Sequence, residues 1–226
     1  MAEIVVALDV DDAATALAVV DQLDGLRWVK LGPVLYVRSG PFLVGELKSR
    51  GLNVFLDLKW HDIPNTVAEA ALAASRMGID LATVHAIGGA RMIEAARETA
   101  AGMRLAAVTV LTSFEPEEYW SALNHRGGDG LTGEVCRLAK LAVSAGAGAV
   151  VSSTAEIGEV RTAVGRDPWI IVPGIRSQAL ASDDQRRVGT PEEAVEAGAT
   201  HLVVGRPIYR ADHPAEVFAA LCQAIG

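Results

Sequence analysis

Asn53-Val54-Phe55-Leu56-Asp57-Leu58-Lys59-Trp60-His61-Asp62-Ile63-Pro64-Asn65-Thr66 is the stretch from which the rest of this chain can be read. Its first four residues form an apolar run that reads as a buried strand. Side chains two apart on a strand share a face. Asp57 and Lys59 are therefore expected side by side at the strand end, with Asp62 three residues later. A helical pattern, Thr66–Met77, then begins, so the charges lie where a strand hands over to a helix.

The same alternation repeats outward in both directions. Strands are expected at Ile4–Leu8, Trp28–Leu31, Asn53–Leu58, Leu81–His85, Leu105–Leu111, Ala149–Ser152, Trp169–Pro173 and His201–Gly205. Helices are expected at Ala13–Leu23, Pro41–Ser49, Thr66–Met77, Ala90–Ala100, Thr132–Ala145, Ala155–Val164, Pro191–Ala197 and Pro214–Ile225. Gly51, Gly78, Gly146 and Gly198 each follow a helical run, where a left-handed cap is wanted. Eight strands alternating with eight helices predict a parallel α/β fold, a closed (β/α)8 TIM barrel formed by a single domain over residues 1–226. An open doubly wound sheet would want a glycine-rich turn after the first strand. Asp9-Val10-Asp11-Asp12 stands there and would repel a pyrophosphate. The long connections Phe114–Gly130 and Gly174–Gly189 are expected to be lids or rim coverings.

Half of the 226 residues are hydrophobic and few are aromatic, which suits buried parallel strands under helices. The formal net charge of -8 and the lack of a basic stripe argue against nucleic-acid binding. An anionic substrate must then meet a local basic cluster. Cys136 and Cys222 have neither disulfide nor metal spacing, and read as thiols of a reducing, cytoplasmic setting. No signal peptide or membrane span is expected: the first strand starts almost at once, and the apolar stretch Leu141–Val151 is short and broken by glycine.

In a barrel, reacting groups come from the C-terminal ends of several strands. Those ends carry Asp9, Lys30, Asp57 with Lys59, His85, Thr112 with Ser113, Arg176 and Arg206. Parity places Asp9, Lys30, Asp57 and Lys59 in one interior. Alternating signs would offset the desolvation of each charge. A lysine held charged between carboxylates can deliver a proton while a carboxylate beside it repels another, which is equipment for decarboxylation. Each residue also has a plainer reading: Asp9 or Asp62 capping a helix, His85 as a hydrogen-bonded core or rim histidine, Trp60 and His61 as packing and rim residues. Burying the Asp-x-Lys pair beside a second lysine is costly unless the site works.

The loops after strands seven and eight commonly build a phosphate site in this fold. Gly174 and Gly205 allow close backbone approach, Arg206 offers a bidentate guanidinium, and Arg176 is its companion. Gln185 lies where a closing loop could reach a phosphate. Arg186 and Arg187 read as solvated surface.

With these residues assembled, the chain resembles the bacterial orotidine 5'-phosphate decarboxylase family nearly end to end. The resemblance rests on Leu8-Asp9, Lys30-Leu31-Gly32, Asp57-Leu58-Lys59 with His61-Asp62-Ile63-Pro64-Asn65-Thr66, and Val84-His85-Ala86. It continues through Thr109-Val110-Leu111-Thr112-Ser113, Pro173-Gly174-Ile175-Arg176, Asp184-Gln185-Arg186-Arg187 and Gly205-Arg206-Pro207. It implies a homodimer with no metal and no organic cofactor, whose site is completed by Asp62, Ile63 and Thr66 of the partner. It also implies decarboxylation of a nucleotide, orotidine 5'-monophosphate. Lys59, Asp57, Lys30 and Asp62 would be catalytic. Asp9, Thr112 or Ser113, Arg176, Gln185, Gly205 and Arg206 would bind substrate.

Two other readings stand beside it. A related sugar-phosphate lyase barrel shares Asp-x-Lys-x-x-Asp but uses magnesium and an acidic ligand at the second strand end, where this chain has Lys30. A non-catalytic phosphate-binding barrel would explain Gly205-Arg206 but not the cost of the Asp57-Lys59 cluster.

Overall fold

The computed structural model describes residues 2–123, 130–175 and 189–226. Eight parallel strands close a barrel in chain order: β1 (Glu3–Ala7), β2 (Trp28–Leu31), β3 (Asn53–Trp60), β4 (Leu81–His85), β5 (Arg104–Val108), β6 (Ala149–Val151), β7 (Trp169–Pro173) and β8 (His201–Val204). Closure runs from Glu3 opposite His201 to Val6 opposite Val204. Around it lie α1 (Ala13–Val20), α2 (Pro33–Ser49), α3 (Pro64–Arg76), α4 (Ala90–Thr99), α5 (Pro116–Ala122), α6 (Gly130–Ser144), α7 (Ile157–Val164), α8 (Pro191–Glu196), α9 (Arg206–Tyr209) and α10 (Pro214–Ala224). This is the expected (β/α)8 TIM barrel.

Strand parity divides the core in two. Val6, Val29, Leu31, Val54, Leu56, Val84, Val150, Val172 and Leu202 join the helices in one large outer cluster. Val5, Ala7, Trp28, Phe55, Leu81, Ala106, Ala149, Ile171 and Val203 fill the barrel itself. Fully burying a side chain of the valine-to-phenylalanine class contributes about 1.5–3 kcal/mol. The interior is therefore a packed plug, and polar groups are left to its two mouths.

Several element boundaries differ from expectation. The second helix begins at Pro33, not Pro41; Gly40, at φ 46°, marks a kink within it rather than its start. Gly32 is the N-cap and Pro33 supplies the first-turn proline, a signal as strong as the Gly40-Pro41 pair. The Phe114–Gly130 connection contains α5, whose capping box joins Glu115 and Glu118 and whose Tyr119 is buried. The fifth strand stops at Val108, short of Leu111, and Thr109 instead donates its hydroxyl to the Val151 carbonyl at 3.1 Å. A further short helix, α9, follows β8, so the described residues hold ten α-helices against the eight expected. Gly51, Gly78, Gly146 and Gly198 take positive φ, as helix ends require.

The N-terminal mouth is closed by rings. Trp28 and Trp169 meet edge to face at 5.9 Å, His201 lies 4.2 Å from Trp169, and the Arg104 guanidinium sits 4.0 Å over Trp169. Burial, helped by Arg104, pushes His201 down to about 4 from the ordinary 6.5. Between those two values the unfolded chain binds the proton more readily. The neutral ring's contribution is therefore complete above pH 6.5 and is lost as pH falls toward 4. The shift corresponds to about 3 kcal/mol. Urea unfolding should weaken more steeply between pH 7 and 4.5 in the parent than in His201→Gln; parallel curves would remove His201 as the cause.

Candidate active site

Four charged side chains from three neighbouring strand ends meet at the opposite, C-terminal mouth. Lys30, on β2, places its Nζ 3.2 Å from Asp9 Oδ1 and 3.4 Å from Asp57 Oδ2. Lys59 Nζ lies 2.9 Å from the other oxygen, Asp57 Oδ1. The order Asp9, Lys30, Asp57, Lys59 alternates in sign throughout. Lys30 and Asp57 are the deeper members, with side chains 11% and 14% exposed, while Lys59 opens to the mouth at 36%.

The parity argument for Asp57 and Lys59 holds, but the strand does not reach this geometry by plain alternation. Leu56 pairs with Ala82 and Trp60 with Val84, so β3 spends four residues where β4 spends two. The extra length is a bulge, and Lys59 sits in it at φ 52°, the one described non-glycine residue with positive φ. Such a conformation costs on the order of 1–3 kcal/mol and persists where surroundings impose it. Leu58 and Trp60 pack on the outer cluster, which leaves Asp57 and Lys59 facing inward.

Thr83, buried on β4, holds the bulge from the neighbouring strand. Its Oγ1 accepts the Lys59 backbone N–H at 2.8 Å, and its hydroxyl donates to Asp57 Oδ1 at 3.1 Å. Burial pushes the Asp57 carboxyl up. The Lys30 and Lys59 ammoniums, with hydrogen bonds from Lys59 and Thr83, outweigh burial and hold it below the usual range. Desolvating an ion costs several kcal/mol, so only this enclosure by cations and donors keeps Asp57 ionised.

Asp9 and Asp62 do not cap helices. Asp12 caps α1 through the Thr15 N–H, and α3 has Ile63 at its N-cap with no side-chain cap. Asp62 is exposed, accepts its neighbour Ile63's N–H at 2.6 Å, and among the described residues makes no ion pair. The expected convergence of a third aspartate is thus absent within one chain. Ile63 and Thr66 are exposed beside it.

Thr112 is half-buried and Ser113 exposed in the turn beyond β5. Arg206 occupies the first position of α9 after Gly205. A Cβ on Gly205 would come within 3.2 Å of the Ala7 Cβ and 3.4 Å of its carbonyl oxygen, a tight fit that would ask the neighbouring strand end to give by a few tenths of an ångström. Arg176 and Gln185 lie outside the described residues.

Three site features were missed from sequence. Thr83 reads there as an ordinary strand threonine. Gly32 lies against the charge chain: a Cβ there would be 3.1 Å from Asp9 Oδ1 and 3.6 Å from Lys30 Nζ. His85, expected to be hydrogen-bonded, has a buried Nδ1 without a partner among the described residues, and its ring stands 5.8 Å from that of His61. Burial, then His61 and Lys59, lower its pKa.

An ammonium fixed at an open mouth, braced by a carboxylate that a second ammonium holds ionised, can stabilise a developing anion and hand it a proton. The chain's relatives bear the names of decarboxylases. Residues 2–221 match the model of the Orotidine 5'-phosphate decarboxylase / HUMPS family. The chain is 45% identical over 232 residues to the orotidine 5'-phosphate decarboxylase of Synechococcus sp. (strain CC9311), spanning 98% of this chain and 94% of that one. With the Chromobacterium violaceum enzyme of the same name it shares 46% over 229 residues, 98% of this chain and 91% of the other. The crystal structure of orotidine 5'-phosphate decarboxylase from Lactobacillus acidophilus superposes with a TM-score of 0.89 at 33% identity, covering 100% of both chains. A barrel with this charge chain at its mouth and these relatives along its whole length belongs to the Orotidine 5'-phosphate decarboxylase / HUMPS family and is a decarboxylase.

Proposed function

We propose that the chain converts orotidine 5'-monophosphate to UMP and carbon dioxide, the last step of de novo pyrimidine nucleotide synthesis, without metal or organic cofactor. The observation that carries this reading is the alternating Asp9–Lys30–Asp57–Lys59 chain. The bond from pyrimidine C6 to its carboxylate breaks, its electron pair stays on C6, and carbon dioxide leaves. The Lys59 ammonium stabilises that charge and delivers its proton to C6; solvent then reprotonates the amine. Asp57 holds Lys59 in place and crowds the substrate carboxylate, a contribution ranked below electrostatic stabilisation. Lys30 and Asp9 bind ribose hydroxyls and keep the charges aligned. Thr112, with Ser113 beside it, meets the pyrimidine edge. Gly205, Arg206, Arg176 and Gln185 take the phosphate. Lys30 also argues against the magnesium-dependent lyase reading, because its ammonium would repel a metal between Asp9 and Asp57. Turnover that survives chelation with EDTA is expected; its loss would favour the lyase.

The working unit in this proposal is a cytoplasmic homodimer, with Asp62, Ile63 and Thr66 serving the partner's site. Supporting it, Asp62 is left outside the charge network of its own chain. Apolar Ile63 is 67% exposed and Val37 84%, while Ile87 is also exposed after β4. Complementation tests the idea. Lys59→Ala and Asp62→Ala are each expected to be nearly inactive alone. Mixed and allowed to exchange subunits, they should regain about a quarter of parental activity, because half the dimers are hybrid and each hybrid has one intact site. No recovery, despite demonstrated exchange, would place Asp62 in its own subunit's chemistry.

The direct assay is to titrate UMP by calorimetry and then follow the absorbance of orotidine 5'-monophosphate. UMP binding without turnover would leave only a phosphate-binding barrel.

A further inference from the structure

We infer that Thr83 is a positioning residue for the decarboxylation: its hydroxyl locks the β3 bulge that aims Lys59 and turns Asp57 toward it. The inference rests on the Lys59 chemistry proposed above. Thr83 is 1% exposed on the inward side of β4, in line with Leu81 in the barrel interior. A hydroxyl has one proton to donate and lone pairs to accept with. Here the directions are unambiguous. The Lys59 N–H can only donate, so Oγ1 accepts it at 2.8 Å. An ionised Asp57 can only accept, so the Thr83 proton points to Oδ1 at 3.1 Å. That same Oδ1 receives the Lys59 ammonium at 2.9 Å.

One side chain thus ties together both ends of Lys59, its backbone directly and its ammonium through Asp57. The regular β3–β4 register is interrupted between Leu56 and Trp60, where Lys59 turns to φ 52°. A hydroxyl from the neighbouring strand takes the N–H displaced by that interruption. Without it the bulge can relax, and Lys59 swings relative to a substrate held by other groups. Displacement of a reacting group by about 1 Å can cost about a hundredfold in rate.

Two substitutions separate this role from packing. Valine keeps the branched shape of threonine and removes the hydroxyl; serine keeps the hydroxyl and removes the methyl. Thr83→Val should lower kcat about a hundredfold while KM changes less than about threefold. The acid limb of its kcat/KM profile should move up in pH, because Asp57 loses a donor that favours its ionised form. Thr83→Ser should stay within about fivefold of the parent with an unshifted acid limb. Parental kcat in Thr83→Val, or equal impairment of both variants, overturns the inference.

UMP binding by calorimetry checks that each variant is folded. If Thr83→Val fails that check, Thr83→Ala takes its place: kcat about tenfold or more below that of Thr83→Ser supports the hydroxyl role, and equal kcat in the two variants overturns it. Lys59→Ala is assayed alongside. A dead Lys59→Ala with a fully active Thr83→Val removes the Thr83 role alone, whereas an active Lys59→Ala removes the underlying mechanism.

Discussion

Lys59→Ala is expected to lose about 10⁴–10⁷-fold in kcat while UMP still binds within about tenfold of the parent. The expected rate effect combines two contributions lost together. Removing a preorganised charge at the site of a developing anion costs about 10²–10³. Removing the proton donor costs a further 10² to about 10⁴. Both reside in one ammonium, 2.9 Å from Asp57 Oδ1 and open to the mouth. Asp57 keeps Lys30 at 3.4 Å and the Thr83 hydroxyl at 3.1 Å, so the carboxylate is not left without partners and the barrel stays folded. UMP carries a hydrogen at C6 and takes its affinity from ribose and phosphate, which Lys59 does not touch in the proposed complex. Absorbance kinetics and calorimetry measure the two halves. Residual turnover within about a hundredfold of the parent would exclude Lys59 as the proton donor.

Arg206→Ala is expected to lose about 10²–10⁴ in kcat/KM although it follows β8 while Lys59 lies on β3. Arg206 opens α9 immediately after β8, next to Gly205. A guanidinium binds a phosphate bidentately, and such charge-assisted bonds are about twice as strong as neutral ones. Binding energy from a remote group can drive loop closure and orient the ring, so the loss falls on kcat as well as KM. The Asp9–Lys30–Asp57–Lys59 chain should be unaffected. The control is a substrate lacking the phosphate: parent and variant should turn it over equally slowly. Near-normal kcat/KM for Arg206→Ala, or a variant equally impaired on the truncated substrate, would sink the phosphate-gripping role.

Much of the site was legible because strands have a strict period of two. Val5, Ala7 and Asp9, Trp28 and Lys30, and Phe55 and Asp57 were placed on common faces by parity, and the closed barrel directs those faces inward. What was not legible depends on pairing between strands. The bulge at Lys59 exists only relative to β4, through a register that sequence distance does not encode. Thr83 is a threonine among many until β4 lies beside β3. Gly32 becomes significant when Asp9, twenty-three residues earlier, crosses it. The helix α5 was missed inside a connection read by length, though Glu115 and Glu118 carried its capping signal.

The sequence by itself determined the strand–helix alternation, the closed parallel barrel and the identity of the charges at its mouth. These follow from local periodicity and from the cost of burying unpaired ions. Only the tertiary structure decided how those charges are held. Lys59 sits in a positive-φ bulge with its N–H on a hydroxyl from the next strand, and Asp62 is left outside its own chain's network. The reason is that both outcomes depend on distances between segments far apart in the chain, set by register and packing rather than by any property of the residues alone.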